Sequence, residues 1–231
     1  EGKGMELQQK VRPEFWDNLI HFEGNANAFR LLAHRFHGRR EGGFVMTYAT
    51  LASIVKYPYS SMAAGKKGKF GFFCFEEHYY RRIADELGIR RLSADGEPLR
   101  YARHPLVYLV EAADDICYEI MDIEDAHKLR ILSFDETMQL LLGFFDNCQR
   151  EKILKRIDEE GITDNNEKVV YLRACTIGKL ENECARAFVE HESEILNGTL
   201  QGCLIDHITP SVRDAYRHCS ELSVQRIYNS K

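Results

Sequence analysis

The chain has 231 residues, 44% of them apolar and 29% charged, with a net charge of −5. That balance suits one large or two small globular domains whose core needs no staple, and it excludes a globally basic nucleic-acid binder while leaving room for a local basic patch. Seven cysteines (Cys74, Cys117, Cys148, Cys175, Cys184, Cys203 and Cys219) form no CxxC pair, no run is long and apolar enough to span a bilayer, and no signal peptide is expected. Free thiols in a soluble, cytoplasmic protein are expected.

The apolar periodicity is helical almost throughout. Pro13 suits the first turn of a helix running through EFWDNLIHFEGNANAFRLLAHRFH and ended by GRREGG. Gly24 inside that pattern costs about 1 kcal/mol relative to alanine, so close packing or a site is expected there. Thr47 is the N-cap of a helix over YATLASIV, which Pro58 stops. AAGKKGKFGFF is a glycine- and lysine-rich connection with a short extended piece. EEHYYRRIADEL is a helix closed by Gly88, SADGEP is a turn, and Pro105 opens the next helix. Ser133 and Glu136 have capping-box spacing and start a helix over FDETMQLLLGFFDNCQ, followed by EKILKRIDEEG. A long helix runs from about 167 to 194 and ends before Gly198, and Thr209 and Pro210 start the last one. There is no strand ladder, internal repeat or low-complexity segment. The expected class is all-α, with 1–231 as a single helical domain.

The helix after Pro105 carries VEAADDICYEIMDIEDA. At roughly 100° per residue, Asp114, Tyr118 and Asp122 fall on one face. Leu109, Ala113, Ile116, Ile120 and Ile123 take the roughly opposite face and are the expected core contact. Val110, Cys117 and Met121 flank the acid stripe on one side; Glu111, Asp115 and Glu119 flank it on the other. A solvated acidic face is one reading of such a stripe. A site is the other: a partly buried carboxylate needs a cation or a metal, and a hard divalent ion prefers oxygen ligands. Lys56 and Lys69 lie among glycines and tyrosines in LASIVKYPYSS and GKKGKFGFF. Flexible basic connections of this kind suit a polyphosphate, although exposed loop lysines are usually just solvated.

HFEGNANAFRLL, TYATLASIVKYP, KFGFF, LVEAADDICYEIMDIEDA and YLRACTIGKLENECARAF occur in the order seen in bacterial deoxyguanosinetriphosphate triphosphohydrolases. The chain resembles that family, part of the HD superfamily, along most of its length. The resemblance implies an all-α, HD-domain-like fold. It also implies a divalent metal ion such as Mg or Mn, and hydrolysis of a deoxynucleoside triphosphate to deoxynucleoside and tripolyphosphate. It implies that Asp114 is a metal ligand and that Tyr118 and Asp122 lie beside the deoxyribose, with Asp122 near the 3′-hydroxyl. Lys56, Tyr57 and Lys69 match positions that touch phosphates, and Asn25 matches a pocket residue. A homo-oligomer such as a hexamer, and binding of single-stranded DNA, are further expectations from the same source.

In that family the metal is also held by a histidine and a His-Asp pair. This chain has nine histidines and no His-Asp dipeptide. His34 and His37 read as surface residues rather than substitute ligands. The expectation is a fragment that lacks the N-terminal metal segment, carries no catalytic residue beyond the ligand Asp114, and is inactive alone. The competing reading is a non-catalytic helical module for oligomerisation or nucleotide sensing.

Overall fold

The computed structural model describes residues 2–38 and 43–229, with the side chains of 2–5 and 14 left aside. Residues 39–42, most of the expected GRREGG break, lie outside them. The fold is all-α. Among the described residues only isolated bridges occur, joining Tyr59 to Arg100, Ser60 to Phe72 and Arg91 to Tyr101. The chain forms two compact units: the residues up to Val110 with Ser193–Leu200, and Glu111–Glu192 with the residues from Gln201 on.

The first unit holds α1 (Gly2–Lys10), α2 (Pro13–Ile20), α3 (Gly24–Ala33), α4 (Tyr48–Ser53), α5 (Glu77–Leu87) and the start of α6 (Pro105–Lys128), as far as Val110. The single helix expected over 14–37 is two helices. His21 and Glu23 are extended, and the Glu23 carboxylate accepts the backbone N–H groups of Asn25 and Ala26, which caps α3. Gly24 is therefore a first-turn residue, and a Cβ there would meet nothing within 4 Å. Close packing within the chain does not explain it. Thr47 caps α4 as expected, its hydroxyl accepting from the Thr50 N–H at 3.2 Å. Gly88 closes α5 in the left-handed conformation, φ 65°, which glycine adopts without a Cβ clash. The core joins Phe29, Leu51, Val55, Phe72, Tyr80, Ile83 and Leu99.

The second unit holds the rest of α6, then α7 (Phe134–Leu142), α8 (Asn147–Glu159), α9 (Asn165–Glu190) and α11 (Pro210–Leu222). The Ser133–Glu136 capping box is formed. The helix it starts stops at Leu142 rather than running on to Gln149, because Asp146 opens α8 with its own box: the Gln149 N–H donates to Asp146 and the Gln149 side chain accepts from the Asp146 N–H. Asp164 caps α9, which ends at Glu190; the short α10 (Glu192–Leu196) that follows belongs, from Ser193 on, to the first unit. Beyond α11 the chain makes a π turn over Ser223–Tyr228.

On α6 the buried arc is rotated from the expected one. Ile116, Ile120 and Ile123 are buried, each contributing about 2 kcal/mol of apolar burial. Leu109 and Ala113 are exposed, and Ala112 and Glu119 are buried instead. Glu119 is tolerated there because the Ser223 hydroxyl donates to its Oε1 at 2.8 Å. Burial nevertheless pushes its carboxyl above the ordinary range, and neighbouring Asp122 adds to the rise.

Glu183 of α9 is the polar hub of the second unit. It accepts from Thr209 N (3.1 Å), Thr209 Oγ1 (2.7 Å) and Arg186 (2.5 Å), and pairs with Lys179 at 3.2 Å. Burial pushes its carboxyl up, but the Thr209, Arg186 and Lys179 contacts outweigh it and hold the group at about 2, against 4.5 for an unperturbed glutamate. A depressed folded-state pKa gives stability that is present above about pH 4.5 and lost as the pH falls through about 2. Glu183→Gln is expected to cost about 2 kcal/mol at pH 7. The deficit should shrink on acidification, which thermal melts from pH 7 to pH 2 will read. An equal deficit across that range would show that charge is not its source.

Candidate functional site

In the first unit, three phenylalanines of KFGFF act as anchors. Phe70 and Phe73 are buried with Ala26 of α3, and Phe72 stacks on Tyr80 with ring centroids 4.7 Å apart. Gly71 between them lies so close to the preceding loop that a Cβ would collide with the Tyr57 carbonyl oxygen and Val55 Cγ1. Its N–H donates to Tyr59 O at 3.0 Å. KFGFF and KYP are thus held together by backbone contact. Lys56 lies 6.0 Å from the centroid of the Tyr57 ring, and Tyr57 and Tyr59 have ring centroids 6.1 Å apart.

Lys69 is anchored on the other side. Its Nζ donates to Glu23 Oε1 at 3.0 Å, and Asn25 Nδ2 donates to the same oxygen at 3.0 Å. Oε2 takes the Asn25 N–H at 2.5 Å and the Ala26 N–H at 3.2 Å. Burial pushes the Glu23 carboxyl up, yet these hydrogen bonds outweigh it and the net effect is a lowered pKa. The hydrogen bond to Glu23 raises that of Lys69. The ammonium is charged, half-exposed and directed. The structure therefore brings Asn25 and Lys69 together through Glu23, and joins Lys56 and Tyr57 to the same unit through Gly71. Glu23 escaped the sequence reading because glutamate is a poor N-cap signal and apolar periodicity runs through it.

In the second unit, Asp114, Tyr118 and Asp122 share one face of α6. Asp114 is exposed, Tyr118 is 67% exposed and Asp122 is half-buried. Val110, Cys117 and Met121 beside them are exposed as well. The Tyr228 phenol, at the end of the π turn, donates to Asp122 Oδ2. Glu124, also on α6, is buried and bonded by Arg173 of α9 and by Lys128 at 2.6 Å. These contacts outweigh its desolvation and lower its pKa. Tyr228 and Ser223 could not be read from sequence, because nothing local ties them to residues more than a hundred positions away.

An ion such as Mg²⁺ takes about six oxygen ligands in near-octahedral geometry. Asp114 offers one carboxylate, and among the described residues no group of three or more His, Cys, Asp or Glu side chains is placed to hold a metal. These residues do not make a complete metal site by themselves. No helix among them is long and apolar enough to cross a membrane.

No family model matches the chain. Over 231 residues it is 35% identical to a deoxyguanosinetriphosphate triphosphohydrolase-like protein of Pseudomonas aeruginosa, covering 98% of this chain and 49% of that one. It is 34% identical over 194 residues to a protein of the same description from Synechocystis, covering 80% and 42% of the two chains. It is 26% identical over 241 residues to the deoxyguanosinetriphosphate triphosphohydrolase of Yersinia enterocolitica, covering 96% and 44%. The chain spans about half the length of these curated relatives.

Proposed function

We propose that this chain, homologous over almost its whole length to about half of the triphosphohydrolase-like proteins, is the sugar- and phosphate-recognising part of a deoxynucleoside triphosphate triphosphohydrolase. The observation that carries the reading is the 35% identity across 98% of the chain. The substrate is a deoxynucleoside triphosphate, dGTP first among them, and the products are the deoxynucleoside and tripolyphosphate. Lys56 and Lys69 offset charge on the phosphates, where fixed cations act without reorganisation. Asn25 and Tyr57 shape the same unit. On α6, Asp122 accepts a sugar hydroxyl and Tyr118 packs beside it. Asp114 gives one oxygen to a divalent ion, which polarises the phosphoryl oxygen when bound. The remaining ligands come from outside these residues.

The test is incubation of the full-length protein with dGTP and Mg²⁺ or Mn²⁺, with product identification. Deoxyguanosine and tripolyphosphate in equal amounts are expected. Orthophosphate or pyrophosphate as the first product would overturn the reaction type, and tight dGTP binding without release would favour a nucleotide-sensing module. The 231-residue chain alone is expected to release nothing, since one carboxylate leaves the ion mostly to water. Lys56→Ala in the full-length protein should weaken dGTP binding about ten-fold, in line with a charge-assisted contact, and leave deoxyguanosine binding unchanged. Equal losses for both ligands would remove Lys56 from the phosphate site.

A further inference from the structure

Asp122 is one of two α6 carboxylates engaged by the segment that follows α11. Ser223 Oγ donates to Glu119 Oε1 at 2.8 Å, and the Tyr228 phenol donates to Asp122 Oδ2. The segment is held at further points. Arg226 Nη1 reaches Glu136 Oε1 at 2.6 Å, Arg226 Nη2 reaches Ile131 O at 2.7 Å, and Asn229 Nδ2 caps Val224 O at 2.7 Å. Its backbone is a π turn, a rare form that occurs mostly as single turns and is frequent at functional sites. The wider turn lets Ser223 and Tyr228, five positions apart, both reach α6.

We propose that Tyr228 is a positioning residue of the sugar site: it fixes the Asp122 carboxylate so that Oδ1 faces the incoming 3′-hydroxyl. The proposal rests on the role given to Asp122 above. A carboxylate has two oxygens and about four acceptor sites. One donor on Oδ2 sets the rotamer and leaves Oδ1 unobstructed. The phenol suits this task because it is 60% exposed, so its removal strands no buried group. The hydrogen bond to Asp122 and burial together raise its pKa to about 12, so it stays a donor throughout the physiological range. Glu119, Glu136 and Arg226 are the other charged groups facing the turn.

The test is titration of the full-length protein, wild type and Tyr228→Phe, with deoxyguanosine and with 2′,3′-dideoxyguanosine. In Tyr228→Phe the Kd for deoxyguanosine should rise about ten-fold, the loss of one oriented hydrogen bond, while the Kd for the dideoxynucleoside should not move. A merely structural role shifts both ligands alike, and that result overturns the proposal. So does tighter binding of deoxyguanosine by the variant, which would make the phenol a competitor for Asp122. So does a wild-type protein that fails to distinguish the two nucleosides. If the titrations behave as expected but no tripolyphosphate is released from dGTP, the reaction assigned above fails and Tyr228 keeps its place.

Discussion

Asp114→Ala in the full-length protein is expected to abolish tripolyphosphate release, by about a thousand-fold or more, the scale of losing a metal's stabilisation of developing charge. Stability should hardly change, because Asp114 is exposed on α6 and its carboxylate is not part of the Ile116–Ile120–Ile123 core. That separation makes the variant informative: an inactive protein with an unchanged melt has lost chemistry, not fold. Asp122→Ala should behave differently, raising KM for dGTP more than it lowers kcat, since the role proposed for it is placement of the sugar. Steady-state release assays beside circular-dichroism melts measure both. Full activity of Asp114→Ala would sink the placement of that residue.

Gly71→Ala is expected to be a strongly damaging small substitution in the first unit. A methyl there runs into the Tyr57 carbonyl, which is backbone and cannot rotate away. The Gly71–Tyr59 hydrogen bond and the Ser60–Phe72 bridge must open to make room. Overpacking of this kind costs about 3 kcal/mol, roughly a 10 °C fall in melting temperature for a protein of this size. Gly24→Ala is the control, with open space around the added methyl and a neutral or slightly stabilising outcome expected. If both variants melt alike, the close approach of KYP to KFGFF is not a constraint on the fold. Because the same approach joins Lys56 to Lys69, Gly71→Ala should also weaken dGTP binding in whatever fraction remains folded.

Local signals carried most of the fold. The caps at Thr47, Gly88 and Ser133 were legible because each works within a few residues of its helix end, and Pro105 and Pro210 because proline tolerates a first turn. The shared face of Asp114, Tyr118 and Asp122 followed from helical spacing alone. What escaped depends on distant partners. Ser223, 104 residues on, is what lets Glu119 turn inward and rotates the buried arc away from Leu109 and Ala113. Asn18 is similar: its side chain donates to Ser61 and accepts the Cys74 N–H at 2.7 Å, fastening α2 to two loops with no nearby signal. The break at Glu23 was hidden by an apolar pattern that continues across it.

Glu23 has a consequence for how ligand entry would proceed. One carboxylate both starts α3 and holds the ammonium of Lys69. The two duties use different donors, so they can be uncoupled. Were Lys69 to turn toward a phosphate, the Asn25 and Ala26 N–H groups and the Asn25 amide would still be available to Glu23. The helix keeps its first turn while the lysine changes partner. On the phosphate role proposed for Lys69, arrival of a polyanion would then be a local exchange of one ion pair that leaves the cap of α3 in place.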